Sequence, residues 1–313
     1  MVLRVLIVGG SGFIGSQLAN FLSAQGQSVK IYSRTCKTCT DKLSGIEYLY
    51  GDFSNQYLLK KALKNIDVVY QMVSTTIPST SNQNPVEDVA DNVINMISFL
   101  QYCVDASVKK VIFPSSGGTI YGIPQHIPIP ETHPTEPISS YGITKLTIEK
   151  YLFLFHHLYG LDYTILRIAN PYGYGQNPTR KVGAITIFLD LIMRNLPIRI
   201  WGNGEIIRDY VYISDVSRAL YAAQATDIEQ KIFNIGSGVG TSLIELIEYF
   251  KEYIPQKSFE VQYIDSRTFD VPINILDISN ANQVLNWQPT ISLQKGIKLT
   301  WEWLKLWHSQ NQK

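Results

Sequence analysis

The sequence has little of what marks a membrane, secreted or nucleic-acid-binding protein. Its 313 residues carry 27 Lys or Arg against 26 Asp or Glu, so a net charge of +1 gives no excess of positive charge to attract nucleic acid. Hydrophobic runs are short: residues 2–8 fall far below the ~20 residues of a membrane helix and lack a cleavage pattern. We therefore expect a cytoplasmic protein with no membrane anchor and no signal peptide.

Cysteine is scarce as well. Three cysteines, an odd number in a chain of this length, do not make a disulfide framework. Cys36 and Cys39 have the C-x-x-C spacing, but a zinc site needs four ligands and the sequence has no second pair. We expect no metal site and interpret these two residues as loop thiols.

What is present begins with a glycine-rich turn near the N-terminus. The apolar run 5–8 leads into Gly9, and apolar residues with helical spacing follow over 13–24. This order of strand, turn and helix is the context in which glycines bind the pyrophosphate of a dinucleotide, although a turn without a ligand is the alternative. Gly9 would allow the tight turn, Gly12 the approach of the phosphates, and Gly15 close packing of the helix on the strand. The residues predicted to bind a cofactor here are Gly9, Ser11, Gly12, Phe13, Ile14 and Gly15.

The end of the second predicted strand bears on which dinucleotide is bound. An acidic residue at this position would hold the 2′-hydroxyl of an NAD ribose, but the chain reads Ser33-Arg34. Arginine offers a permanently charged fork that suits a 2′-phosphate. We therefore favour NADP(H) over NAD(H), with Ser33 and Arg34 as cofactor residues. A solvated loop arginine is the alternative.

Strand and helix patterns alternate along the first half of the chain. Apolar runs are separated by helical segments, the runs being 29–32, 46–50, 66–73, 108–113 and 163–169 and the helical segments 55–64, 86–105 and 141–158. The alternation predicts an α/β fold, a doubly wound parallel (Rossmann) sheet with a smaller C-terminal substrate-binding lobe. We expect residues 1–170, with 209–236 returning to them, to form the dinucleotide-binding domain. Residues 171–208 and 237–313 would form the lobe.

Tyr141 and Lys145 stand four residues apart on a predicted helix, so their side chains share one face. A free tyrosine has a pKa of ~10 and is a weak base at neutral pH. An adjacent ammonium, together with the positive ring of an oxidised nicotinamide, would lower the pKa of the phenol. The pair would therefore move a proton beside a bound nicotinamide.

These features resemble the short-chain dehydrogenase/reductases in their extended form, within the NAD-dependent epimerase/dehydratase family. The glycine spacing G-x-x-G-x-x-G, the Y-x-x-x-K pair and the run 115–122, which is similar to S-S-x-x-x-V-Y-G, carry the resemblance. It implies that Tyr141 and Lys145 are catalytic and that Lys145 also holds the nicotinamide ribose. It further implies that Asp52 and Phe53 bind the adenine.

The resemblance also implies a hydroxyl beside the reacting oxygen. Many relatives place Ser or Thr four residues before the tyrosine of Y-G, and that position is Gly117 here. We assign the role to Ser116, one residue earlier, with Ser115 and Thr119 as alternatives. A purely structural role for these hydroxyls would leave Tyr141 as the sole donor.

In this family the substrate is a nucleotide-diphosphate sugar, whose two phosphates arginines can clamp. The resemblance extends over nearly the whole chain and implies a substrate site made of Thr75, Ser116, Tyr141, Asn170, Trp201, Arg208 and Arg267. Structural roles for Trp201 and for the two arginines are the alternative. Family members pair through two helices, so the resemblance implies a homodimer through helices 86–105 and 141–158. Burial of their apolar surface in the core of a monomer is the alternative.

Two reactions at C4 of the sugar fit this site. A reductase would use NADPH to reduce a dTDP-4-keto-6-deoxyhexose, whereas a UDP-hexose 4-epimerase would oxidise and re-reduce C4 with tightly bound NAD. Ser33-Arg34 favours the reductase, while the rest of the chain resembles the epimerases. The loop after the fifth strand lacks the Asp-Glu pair of the dehydratases, which disfavours dehydration. A non-catalytic dinucleotide sensor is the alternative from another class, but such proteins usually lose the tyrosine and the lysine.

Overall fold

The computed structural model describes residues 2–35, 45–180, 182–225, 228–255, 257–265 and 271–311. The strands are β1 Arg4–Val8, β2 Ser28–Ser33, β3 Glu47–Tyr50, β4 Val68–Gln71, β5 Lys110–Ser116, β6 Asp162–Ile168, β7 Asn170–Tyr172, β8 Ile198–Trp201, β9 Ile207–Tyr212, β10 Ile232–Ile235, β11 Gly240–Ser242, β12 Val261–Ile264 and β13 Ile273–Asn274. The helices are α1 Phe13–Ala24, α2 Gln56–Ala62, α3 Pro78–Ser81, α4 Pro85–Asp88, α5 Asn95–Asp105, α6 Ser140–Tyr159, α7 Ala184–Met193, α8 Ile213–Ala222, α9 Leu243–Tyr253, α10 Ser279–Leu285 and α11 Leu293–Asn311. A π-helical turn, Val89–Ile94, joins α4 to α5, and a 3₁₀ turn spans Pro178–Arg180.

Seven parallel strands form the main sheet, in the order β10-β6-β5-β4-β1-β2-β3. The chain runs outward from β1 in one direction and then returns to start again at β4, so the strand order reverses between these two neighbours. Such a switch point leaves a crevice at the carboxyl ends of the strands, where open α/β sheets bind ligands. The predicted doubly wound fold is confirmed.

Apolar layers cover both faces of this sheet. Val5 and Ile7 pack in a core that includes residues of α1 and α8, whereas Leu6 and Val8 pack in a core with residues of α2, α5 and α6. Alternate residues of a strand point to opposite faces, and β1 is apolar at both sets of positions because both faces are buried. The continuous run 5–8 is therefore the signature of a central parallel strand.

A second, smaller sheet lies beyond β6. Strand β9 is central in it and pairs with β7, β11 and β13, while β8 and β12 form a separate pair. We expected the segment that begins at Asp209 to return to the main domain. Asp209 lies in β9 of the second sheet instead. The helix that follows β9, α8, packs against α1. Strand β10 does rejoin the main sheet, beside β6. Among the described helices, none combines the length and the apolar character that crossing a bilayer requires.

Candidate active site

The glycine-rich turn connects β1 to α1 at the switch point. Gly9 has a φ of +86°, a conformation that L side chains rarely adopt, and its carbonyl accepts a 3.0 Å hydrogen bond from the Gly12 N–H. A Cβ added at Gly15 would lie 2.8 Å from Gly10 Cα, so the helix could not approach the turn so closely with any other residue. Ser11 completes the turn, and Phe13 and Ile14 open a helix whose first turn carries no acidic residue. These groups fit the pyrophosphate of a dinucleotide, because helix N-termini attract anions.

The adenosine side of the predicted cofactor site lies at the ends of β2 and β3. Ser33 is the last residue of β2, and its buried hydroxyl donates to the carbonyl of Thr35. Arg34 follows and is exposed. The carboxylate of Asp52 accepts hydrogen bonds from the hydroxyl and the backbone N–H of Ser54, which lower its pKa, and the charge of Arg34 contributes to the same shift. Arg34 and Asp52 therefore share this end of the sheet.

Phe53 has a structural role that the sequence did not reveal. Its ring is buried and lies 5.4 Å from that of Phe99, centroid to centroid, in the core between the sheet and α5. Packing of the adenine against Phe53 stays a prediction.

Tyr141 and Lys145 lie in the first two turns of α6, at the carboxyl end of β5. The Lys145 ammonium lies 4.6 Å from the ring centroid of Phe113 and 5.7 Å from that of Tyr141. It is buried, and burial lowers its pKa to about 8. The pKa of Tyr141 is raised to about 12, first by burial and then by the charge of Asp88. In the protein without a bound nicotinamide, burial and the Asp88 charge therefore raise the pKa of the phenol. The expected lowering would depend on the positive nicotinamide.

The candidate hydroxyls at the carboxyl end of β5 and just after it differ in where they point. Ser115 is in register with Arg167, whose guanidinium binds Glu149 of α6 at 2.7 Å, so Ser115 lies on the α6 side of the sheet. By the same alternation, Ser116 in β5 faces the other side. The hydroxyl oxygens of Ser115 and of Thr119 are buried without a hydrogen-bond partner in the described structure. A catalytic role for Ser116 stays a prediction. The two alternative residues, Ser115 and Thr119, are the ones whose hydroxyl oxygens lack a partner.

A cavity of about 760 Å³ lies between β8, β9 and α7. It brings together Asn170, Trp201 and Arg208, three of the predicted substrate residues. The Asn170 amide donates to the backbone carbonyl of Asp209 at 3.0 Å, and Arg208 donates to the carbonyl of Val271 at 2.6 Å. Arg267 lies outside the described residues, as do Cys36 and Cys39.

Two residues of this region, Arg199 and Asn274, were not predicted from the sequence. In β8, Ile198 and Ile200 are buried, whereas Arg199 and Trp201 alternate with them and line the cavity. This alternation of apolar and polar residues is visible in the sequence and could have identified Arg199. Asn274 had no such signal. Its amide donates to the carbonyl of Gly117 at 3.0 Å, and it pairs with Arg208 across β9 and β13, so it joins the loop after β5 to the cavity.

Residues 5–236 match the NAD dependent epimerase/dehydratase family. A dTDP-4-dehydro-6-deoxyglucose reductase of Escherichia coli is 34% identical, over 94% of this chain and 95% of its own length. The structure of a UDP-glucose 4-epimerase of Thermotoga maritima with UDP-glucose has a TM-score of 0.90 at 34% identity, covering 96% of this chain and 98% of that one. A UDP-glucose 4-epimerase of Thermus thermophilus in complex with NAD has a TM-score of 0.89 at 29% identity, covering 97% and 99%. The predicted assignment to dinucleotide-dependent oxidoreductases of the short-chain dehydrogenase/reductase type is confirmed, and the chain belongs to the NAD-dependent epimerase/dehydratase family.

Proposed function

We propose that this protein transfers a hydride at C4 of a nucleotide-diphosphate sugar and that its net reaction is the reduction of a dTDP-4-keto-6-deoxyhexose by NADPH. The observation that carries the choice of reductase is the exposed Arg34 directly after β2, where an NAD-binding site would have a carboxylate. Its guanidinium suits a 2′-phosphate. The Escherichia coli reductase that aligns over nearly the full length of the chain supports the same reading.

The cavity would hold the nucleotide end of the substrate. Arg208 and Arg267, the two predicted arginines, would neutralise the diphosphate through charge-assisted hydrogen bonds, together with Arg199, which lines the cavity. Trp201 would lie against the base, and Asn170 would bond the diphosphate or the sugar. The loop after β5 is joined to the cavity through Asn274 and would lie between the bound diphosphate and Tyr141.

Proton transfer at the sugar would fall to Tyr141. The nicotinamide, when bound, supplies the hydride that adds to the C4 carbonyl carbon. Tyr141 donates its phenolic proton to the carbonyl oxygen, the C4 ketone becomes a secondary alcohol, and the phenolate recovers a proton from solvent. A pKa of about 12 keeps the phenol protonated at neutral pH, which is the form that reduction needs. The Lys145 ammonium would stabilise the phenolate left behind, with Ser116, Ser115 or Thr119 bonding the same oxygen.

A UDP-hexose 4-epimerase with tightly bound NAD is the second candidate. The similarity to the Thermotoga maritima UDP-glucose 4-epimerase supports it. In that reaction Tyr141 would first act as base on the C4 hydroxyl and then return the proton after the keto sugar has turned over.

Two parallel assays separate these candidates. Purified protein is incubated with a dTDP-4-keto-6-deoxyhexose and NADPH, and separately with UDP-glucose without added cofactor. We expect stoichiometric loss of reduced-nicotinamide absorbance in the first assay and no UDP-galactose in the second. The opposite pattern would establish the epimerase, and NADPH binding without turnover in either assay would favour the sensor.

We also propose that two copies pair through helices 86–105 and 141–158, which correspond to α4, the π-helical turn, α5 and α6. Large apolar side chains are exposed along these helices, including Ile94 at 57% and Phe153 at 60%. Val86 and Leu158 extend the same exposed apolar character. Monomeric proteins rarely expose large contiguous apolar patches, and burying these side chains against a second copy would remove them from water.

A further inference from the structure

Asp88 is a buried carboxylate that the chemistry above does not use. It is the last residue of α4, only 1% exposed, and it receives four side-chain hydrogen bonds. Its Oδ1 accepts from the Thr76 hydroxyl at 2.5 Å and the Asn92 amide at 2.9 Å, and its Oδ2 accepts from the hydroxyls of Ser140 and Thr144, both at 2.7 Å. Such donors offset the cost of burying a charge.

The donors on Oδ1, Thr76 and Asn92, connect the carboxylate to the segment that carries Thr75. Asn92, in the π-helical turn, binds Thr75 twice: its amide oxygen accepts from the Thr75 N–H at 3.0 Å, and its amide nitrogen donates to the Thr75 hydroxyl at 2.9 Å. Thr76 reaches Asp88 directly. The loop 74–77 is therefore tied to one oxygen of the carboxylate.

The donors on Oδ2 belong to the start of α6, on either side of Tyr141. The same end of α6 receives two further contacts from the segment after the loop, because the N–H groups of Ser140 and Tyr141 donate to Asn82 and to Ser81. These N–H groups have no partner within their own helix. One short stretch of chain thus holds both the loop and the first turns of α6.

We propose that Asp88 is a positioning residue that fixes Tyr141 relative to the 74–77 loop. The inference rests on the proposed function of Tyr141 as the proton donor and of Thr75 as a substrate contact. The carboxylate acts on Tyr141 also through its charge, which opposes formation of the phenolate. Among the residues that the structure describes, the charged groups that also lie in this neighbourhood are Lys145 and Glu149 of α6 and Arg167 of β6.

The first test compares the pH dependence of turnover in two variants. Asp88→Asn keeps the size of the side chain and removes its charge, and Asp91→Asn is the matched control because it removes the same charge three residues along. For Asp88→Asn we expect kcat to fall by about tenfold or more through misplacement of Tyr141. We also expect the limb of the pH–rate profile that depends on Tyr141 to move to lower pH by about half a unit or more, because the phenolate becomes easier to form. The direction is the same for reduction and for oxidation.

The second test is amide hydrogen exchange of the whole chain, which needs no turnover. Asp88→Asn should speed exchange in both 74–84 and 139–146, and Thr144→Val, which removes one donor, should speed it in 139–146 alone. The proposal is overturned if Asp88→Asn leaves the pH–rate profile unchanged, or if it speeds amide exchange only within 85–94. If Asp88→Asn does not fold, Thr144→Val decides, and unchanged exchange in 139–146 overturns it. Should the native protein turn over no sugar nucleotide, the proposed function fails while the exchange experiment still tests Asp88.

Discussion

The Nζ atom of Lys145 donates a 3.1 Å hydrogen bond to the backbone carbonyl of Pro114. This bond fixes the ammonium at the carboxyl end of β5, in a region from which water is largely excluded. Lys145 is therefore held where the proposed chemistry needs it. Burial of its charge costs folding free energy.

Lys145→Met should stabilise the fold at pH 7. The pKa of Lys145 falls from 10.5 to about 8 on folding because of burial. Below pH 8 the lysine is charged in both states, and the buried charge destabilises the native state relative to the unfolded state. Between about pH 8 and 10.5 the native lysine loses its proton first, and stability rises with pH. We expect a gain on the order of 1–3 kcal/mol at pH 7 that shrinks at pH 9.5, measured by urea unfolding. A gain independent of pH would show that the charge is not the cause.

Tyr141→Phe should reduce turnover by about 10²–10⁴-fold, because it removes the proton donor and little else. Binding of the dinucleotide should stay nearly the same, as a fluorescence titration would show. A variant with near-normal turnover would exclude Tyr141 from the mechanism. Ser115→Ala, Ser116→Ala and Thr119→Val, compared in the same assay, would identify the assisting hydroxyl by the largest fall in kcat.

Arg34→Ala should weaken NADPH binding by about tenfold or more and leave NADH binding nearly unchanged, because only NADPH carries the 2′-phosphate. Calorimetric titration of both dinucleotides measures the ratio. Equal losses for the two cofactors would contradict the preference for NADP(H).

Arg199→Ala should raise the KM for the sugar nucleotide by about tenfold while changing kcat little, since the guanidinium would contact phosphates far from C4. Lys251→Ala is a suitable control, because Lys251 is exposed and pairs only with Glu248 on α9 among the contacts described. A fall in kcat at constant KM would place Arg199 near the chemistry instead.

Phe153→Glu should convert the proposed homodimer to a monomer, because it places a charge among the exposed apolar side chains of the proposed interface. Light scattering after gel filtration measures the mass. If the native protein is already a monomer at micromolar concentration, the proposed pairing is wrong.

The fold could be predicted because its signals are local. The glycine turn needs Gly9 and Gly15 for reasons of backbone geometry within one strand–helix unit, and β1 is apolar on both faces because both are covered. The position of β9 could not be predicted, since its pairing with β7, β11 and β13 depends on distant parts of the chain.

The same distinction applies to the candidate site. The spacing of Tyr141 and Lys145 indicates a shared helix face, but it contains no information on desolvation, which raises the pKa of Tyr141. Asp88 and Asn274 acquire their importance from partners that lie far along the chain, such as Thr144 and Gly117. Each looks like an ordinary polar residue in the sequence.

The path of the chain from β6 to β7 has a consequence for ligand exchange. Ala169 alone separates these two strands, which lie in different sheets, and its N–H is bound to the carbonyl of Ile235 in β10. A one-residue connection anchored in this way restricts rotation at this crossing between the two sheets. Exchange of the sugar nucleotide would then draw more on rearrangement of loops and side chains at the cavity mouth than on bending of the chain at Ala169.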